Sequence, residues 1–117
     1  MAVNVHTDHV EIGGKHALVQ IAYLNISTAT TTEVVAAVSG KKIRATAVTL
    51  SAGGDNTAQF KSAANALGGV YTFKGGGGMD VDRTPPNYFL ETNAGEALNI
   101  TTSAAQQLSG SLNYVVV

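Results

Sequence analysis

The sequence predicts an all-β fold: one β-sandwich of about eight strands, preceded by an N-terminal arm. Three observations predict it. Short runs alternate apolar and polar residues, the period of a half-buried strand. Clusters of Gly, Asn, Ser and Pro separate these runs at roughly 8–12-residue intervals. No ten-residue stretch carries a convincing helical period.

The elements follow in order. Residues 1–16 hold all three histidines, little alternation and a Gly13-Gly14 hinge, and are read as the arm. Residues 17–117 are the sandwich. Residues 17–27 are rich in Val, Ile, Tyr and Leu on both faces, as a central strand would be, with Val19 and Ile21 expected in the core. A strand over residues 33–38 ends at the Ser39-Gly40 turn. Residues 41–51 form the next. There Lys42, Arg44 and Thr46 point to one side and Ile43, Ala45 and Ala47 to the other, until Val48 and Leu50 break the phase and point to a bulge.

After the turn at residues 52–56, Thr57, Gln59 and Lys61 face outward and Ala58 and Phe60 inward. Residues 62–67 suit a single helical turn, too short to stand alone. Tyr71 and Phe73 then share an inward face. Residues 79–82 read as an edge segment, and Pro85-Pro86 forbids ladder donation at both positions. Residues 87–92 place Tyr88 and Leu90 opposite Phe89. Leu98 and Ile100 point inward from the strand at residues 96–102. The last strand, residues 108–117, sets Leu112, Tyr114 and Val116 on the core face.

Composition bounds the function. At 117 residues the chain is one domain's worth. It has no cysteine, which excludes disulfides and thiolate metal sites. A net charge of -1 supplies no field to steer nucleic acid or a membrane surface, and neither is an expected partner. Only 13% of residues are charged while 44% are hydrophobic. The chain can fold, and its polar surface must come from Thr, Ser, Asn, Gln and Gly. Such surfaces suit proteins that pack against many neighbours. The start lacks a basic segment followed by an apolar stretch, so no secretory leader is read. No apolar run is long enough to span a bilayer, and the protein is expected to be soluble and made in the cytosol.

The search for chemistry returns few candidates. His6, Asp8, His9, Glu11 and His16 are the one cluster with metal-ligand side chains. In an extended arm His6 and His9 point to opposite faces, whereas zinc wants four converging ligands. The reading taken is no metal and no cofactor, with His6 and His9 as the only candidates. No G-x-S-x-G elbow exists and no histidine follows His16, so a catalytic triad has no parts to draw on. Asp80 and Asp82 share a strand face, either as a carboxylate pair or as solvated side chains, and solvation is the simpler reading. The loop Gly75-Gly76-Gly77-Gly78 lacks the Lys-Ser/Thr and the helix that a phosphate loop needs. Lys42 and Arg44 share a face, too few charges for phosphate binding. The expectation is a protein that is not an enzyme.

Four stretches carry a resemblance. They are Ser39-Gly40-Lys41-Lys42-Ile43-Arg44, the turn Ser51-Ala52-Gly53-Gly54, Gly95-Glu96-Ala97-Leu98-Asn99, and Ser109-Gly110-Ser111-Leu112-Asn113-Tyr114-Val115. In this order they resemble small virion proteins of tailed bacteriophages, especially capsid decoration (cement) proteins of jelly-roll type, over residues 39–117. The residue pattern leaves the strand order open between a jelly roll and an immunoglobulin-like sandwich. The resemblance and the strand count favour the jelly roll. The resemblance implies a homotrimer on the outer capsid surface of the virion, bound to the major capsid protein and stiffening the shell after synthesis in the host cytoplasm. Partner contact by the arm, at Ala2, Val3, Asn4, Val5, His6 and His9, is the accompanying conjecture. The alternative is a receptor- or carbohydrate-binding module of a phage tail or surface protein.

Overall fold

The computed structural model describes residues 9–12 and 15–117, with side-chain surroundings from residue 17 onward. Twelve strands follow one another: β1 (His9–Ile12), β2 (Lys15–Leu18), β3 (Gln20–Ile26), β4 (Thr31–Val35), β5 (Ile43–Ala52), β6 (Asn56–Ser62), β7 (Asn65–Ala66), β8 (Tyr71–Phe73), β9 (Gly78–Asp82), β10 (Leu90–Glu91), β11 (Leu98–Thr102) and β12 (Leu108–Val116). No helix is present among the described residues.

Two five-stranded sheets make the sandwich. One runs β10-β5-β12-β3, with β9 also paired to β5; the other runs β4-β11-β6-β7, with β8 also paired to β6. Every pairing is antiparallel. The short strands β7 and β8 share one flank of β6, and β9 and β10 share one flank of β5. Taken as single positions, they leave eight positions. The chain crosses between sheets at nearly every step, and β12 returns to lie between β3 and β5. This is the winding of a jelly roll. Strands β1 and β2 form a separate hairpin ahead of it.

The core lies between the sheets. Leu24, Ile26, Ile43, Val48, Leu50, Leu108 and Leu112 face Val35, Ala58, Phe60, Phe73, Leu98 and Ile100 across it. Phe60, Phe73, Leu98, Ile100 and Leu112 therefore sit where their alternation places them, and Tyr71 and Tyr114 pack against the same cluster. Val116 is half-buried opposite the buried Ile43.

Three expectations are corrected. Among the described residues β3 is an edge strand rather than a central one. Its even-numbered residues face the core, so Ile21 points to solvent and is 55% exposed. Val19 falls between β2 and β3 and stays half-buried outside the core cluster. Residues 62–67 form no helical turn: Ala63 takes a positive φ of 52° and the chain turns back as β7. Finally, Tyr88 and Leu90 do not share a face: Leu90 is buried and Tyr88 exposed, while Phe89 packs beside Leu90 against the core and meets Phe60 edge-on with ring centroids 6.1 Å apart.

The phase break in β5 has a simple cause. Tyr114 pairs with Ala45 and Asn113 with Ala47, so Thr46 is an extra residue, a β-bulge. With Thr46 set aside, Ile43, Ala45, Val48 and Leu50 all face the core. The bulge is held locally: the Thr46 carbonyl accepts a bond from the Arg83 N–H at 2.8 Å. Its hydroxyl donates to the Asn113 carbonyl at 3.3 Å.

Candidate interaction surface

The outer face of the first sheet is built by register. Across the strands β3, β12, β5 and β9, one row reads Tyr23, Ser111, Thr49, Asp80. The next reads Ile21, Asn113, Ala47, Asp82. Opposed residues in an antiparallel ladder share a face, so large apolar side chains stand along β3. Small residues fill the middle strands, and carboxylates stand along β9. Tyr23 is 81% exposed and Leu18, just ahead of β3, 47%. Thr49 Oγ1 donates to Asp80 Oδ1 at 3.2 Å. Asp82, two residues on, is likewise exposed.

This surface was only half visible in the sequence. Both parities of β3 are apolar, which is why the sequence points Ile21 to the core and gives Tyr23 no side of its own. The signal that separates them is Asn25, which shares their parity, whereas Ala22, Leu24 and Ile26 form an unbroken apolar row.

At the opposite flank of the same sheet lies a charged cluster. Arg44 Nε donates to Glu91 Oε2 at 2.6 Å, and Lys42 Nζ lies 3.7 Å from Glu91 Oε1. The Arg44 guanidinium sits 4.7 Å from the centroid of the Tyr88 ring, a cation–π contact. The one basic cluster of the sequence is thus partly neutralised within its own sheet. Beside it, a cleft of about 410 Å³ opens between β7–β8 and β10, lined chiefly by Leu67, Tyr71, Phe89, Leu90 and Glu91. This volume falls within the roughly 300–1,000 Å³ range of small-molecule sites. Its one carboxylate already serves Arg44.

The remaining candidates are dispersed. Gly75–Gly78 is a turn into β9: Gly77 N–H bonds the Lys74 carbonyl at 2.8 Å, and Gly76 N–H bonds the Ala52 carbonyl at 2.8 Å. A strand follows it, not the helix a phosphate loop would need. Ala2, Val3, Asn4, Val5 and His6 lie outside the described residues. His9 pairs with Leu18 in β1, and its side chain lies outside them too. Among the described residues no three His, Cys, Asp or Glu side chains gather as metal ligands. No helix there is long and apolar enough to cross a membrane.

One polar network does converge. Ser62 Oγ donates to Glu96 Oε1 at 2.5 Å and accepts the Asn93 N–H at 2.9 Å, and Asn93 Nδ2 donates to Glu96 Oε1 at 3.1 Å. These bonds, the Ser62 hydroxyl first and the Asn93 amide second, hold the Glu96 carboxyl below its ordinary range. The network ties the β10–β11 connection to the end of β6 and is structural in geometry.

No protein-family model, curated protein or solved structure matches this chain.

Proposed function

We propose that the chain is a non-enzymatic virion structural protein, a capsid decoration protein that binds the outer capsid surface as a homotrimer. The observation that carries the reading is the uncharged edge strand β3, with Ile21 and Tyr23 turned to solvent on a sparsely charged sheet face. Large apolar groups in that position favour being covered by another protein surface. The resemblance adds support. Its words fall on β5, the turn after it, β11 and β12, which are framework elements of the sandwich. Clamping a shell needs rigidity and several modest contacts per trimer, whose avidity multiplies through multivalency.

Two measurements test it. Light scattering is expected to give three times the 12.0 kDa chain mass. Sedimentation with expanded, undecorated capsids of a tailed phage is expected to carry the protein into the capsid fraction. Tyr23→Ser should weaken that binding while changing unfolding free energy by less than about 0.5 kcal/mol, because the ring is solvated. A clean monomer that ignores such capsids overturns the proposal.

A second reading has one observation in its favour. The row Tyr23, Ser111, Thr49, Asp80 offers an aromatic ring, two hydroxyls and a carboxylate, a combination suited to a saccharide. Micromolar binding on a glycan array, abolished by Tyr23→Ser, would select a carbohydrate-binding module instead.

A further inference from the structure

We infer that the homotrimer closes head to tail, with Tyr23 of one copy seated in the cleft between β7–β8 and β10 of the next. This deepens the trimer reading and rests on it. The distribution of exposed apolar side chains points to it. Among the residues whose side chains are described, the large hydrophobics left exposed are Leu18, Ile21, Tyr23, Val38, Val70 and Tyr88. Leu18, Ile21 and Tyr23 lie on or just ahead of β3. Val70 and Tyr88 belong to the two segments that wall the cleft, and only Val38 stands apart.

Two separate patches are what a cyclic trimer needs. Only a two-fold axis brings a patch onto its own copy; a three-fold ring joins unlike surfaces. β3 and β10 end the first sheet on opposite sides, so the face and the cleft lie on opposite flanks of the chain.

The two surfaces agree in shape. Tyr23 is 81% exposed and projects from its sheet. The cleft is recessed, with a volume of about 410 Å³, and is walled by Tyr71 and Phe89, whose ring centroids lie 6.3 Å apart. Aromatic rings associate at centroid separations of about 4.5–7 Å, so an entering tyrosine extends a pair already in place. An aromatic anchor in a pocket is the usual centre of binding energy at an interface. The cleft is also preformed. The Leu67 N–H bonds the Phe60 carbonyl at 2.8 Å and the Phe89 N–H bonds the Ala45 carbonyl at 2.7 Å, which pins both walls to core strands. Little ordering is then left to oppose docking.

They agree in charge. Asp80 and Asp82 end the rows that begin at Tyr23 and Ile21, and neither has an ion-pair partner among the described residues. At the cleft, Lys42 and Arg44 share the one carboxylate of Glu91, which leaves a positive charge over. Unlike patches attract and like patches repel, so head-to-tail contact is favoured over face-to-face contact. Tyr23 then acts on the capsid at one remove: Tyr23→Ser lowers capsid binding because a single chain lacks the avidity of three.

Mixing two variants of the full chain tests this. Tyr23→Lys spoils the face and leaves the cleft. Ala66→Trp, at an exposed position lining the cleft, closes it and leaves the face. Each alone is expected to scatter light as a single 12.0 kDa chain. Their equal mixture is expected at twice that mass, because one intact face then finds one intact cleft. A wild-type trimer that survives either substitution overturns the inference and leaves the trimer reading standing. So does a mixture that stays at the single-chain mass. A wild-type monomer overturns both. Cross-linking covers the case of a variant that fails to fold, and no native cysteine interferes. In the chain carrying Tyr23→Cys with Ala66→Cys, a short bismaleimide is expected to join position 23 of one copy to position 66 of another, with the link located by peptide mass. Links only between two copies of position 23, or none between chains, would overturn the inference.

Discussion

Phe60 is the largest side chain that the sandwich removes fully from water, and it meets Phe89 edge-on. Shortening it to alanine empties the centre of the core between β6 and the β9–β10 connection. Phe60→Ala should cost about 3–5 kcal/mol in urea-induced unfolding, with the slope of the transition unchanged. Glu96 makes a different kind of contribution. Its folded pKa lies below the ordinary value of 4.5 because the Ser62 hydroxyl and the Asn93 amide bond the carboxylate. A lowered acid contributes stability that is complete above its unfolded pKa and disappears as pH falls through the folded one. Thermal melts from pH 6 downward should show this loss beginning near 4.5 and continuing below it. Glu96→Gln should flatten that acid limb.

At the scale of the element, β12 is the strand on which the first sheet depends, since it is bonded to β3 on one side and β5 on the other. Gly110 lies at its centre, and a methyl group there would meet the Thr49 carbonyl oxygen at 1.8 Å. That oxygen is backbone and cannot rotate away, so β5 and β12 would have to part. Gly110→Ala should destabilise the fold by at least ~2 kcal/mol in equilibrium unfolding, although the added group is small and apolar. The elements that sequence reading placed correctly are those with one buried and one wet face. β6 alternates without a break, and Leu98 with Ile100 does the same for β11. The reading lost ground where alternation carries no information. β3 is apolar at both parities, so nothing local told an edge strand from a central one. Residues 62–67 have helix-tolerant composition, and only the pairing of Asn65 and Ala66 with β6 decides the matter. The surface followed the same logic. The Glu91 that pairs with Arg44 lies far along the chain, and its nearness comes from the β5–β10 ladder alone.

For the whole molecule, the winding dictates how the parts depend on one another. Most ladders join strands distant in sequence, which places the chain among slow folders, in roughly the millisecond-to-second range. β3 is the extreme case. Among the described residues its only ladder partner is β12, which lies more than eighty residues further along the chain. Until β12 arrives, β3 has no ladder partner among the described residues, and it is uncharged and rich in Ile, Leu and Tyr. A second molecule in the same state offers it an equally good partner. Refolding yield, measured by recovered soluble protein, should therefore fall as concentration rises. A single charge on the outer face, Ile21→Lys, should restore it with little effect on the stability of the finished fold. The edge strand that leaves Tyr23 free to meet a partner in the folded protein thus also sets a concentration ceiling on folding.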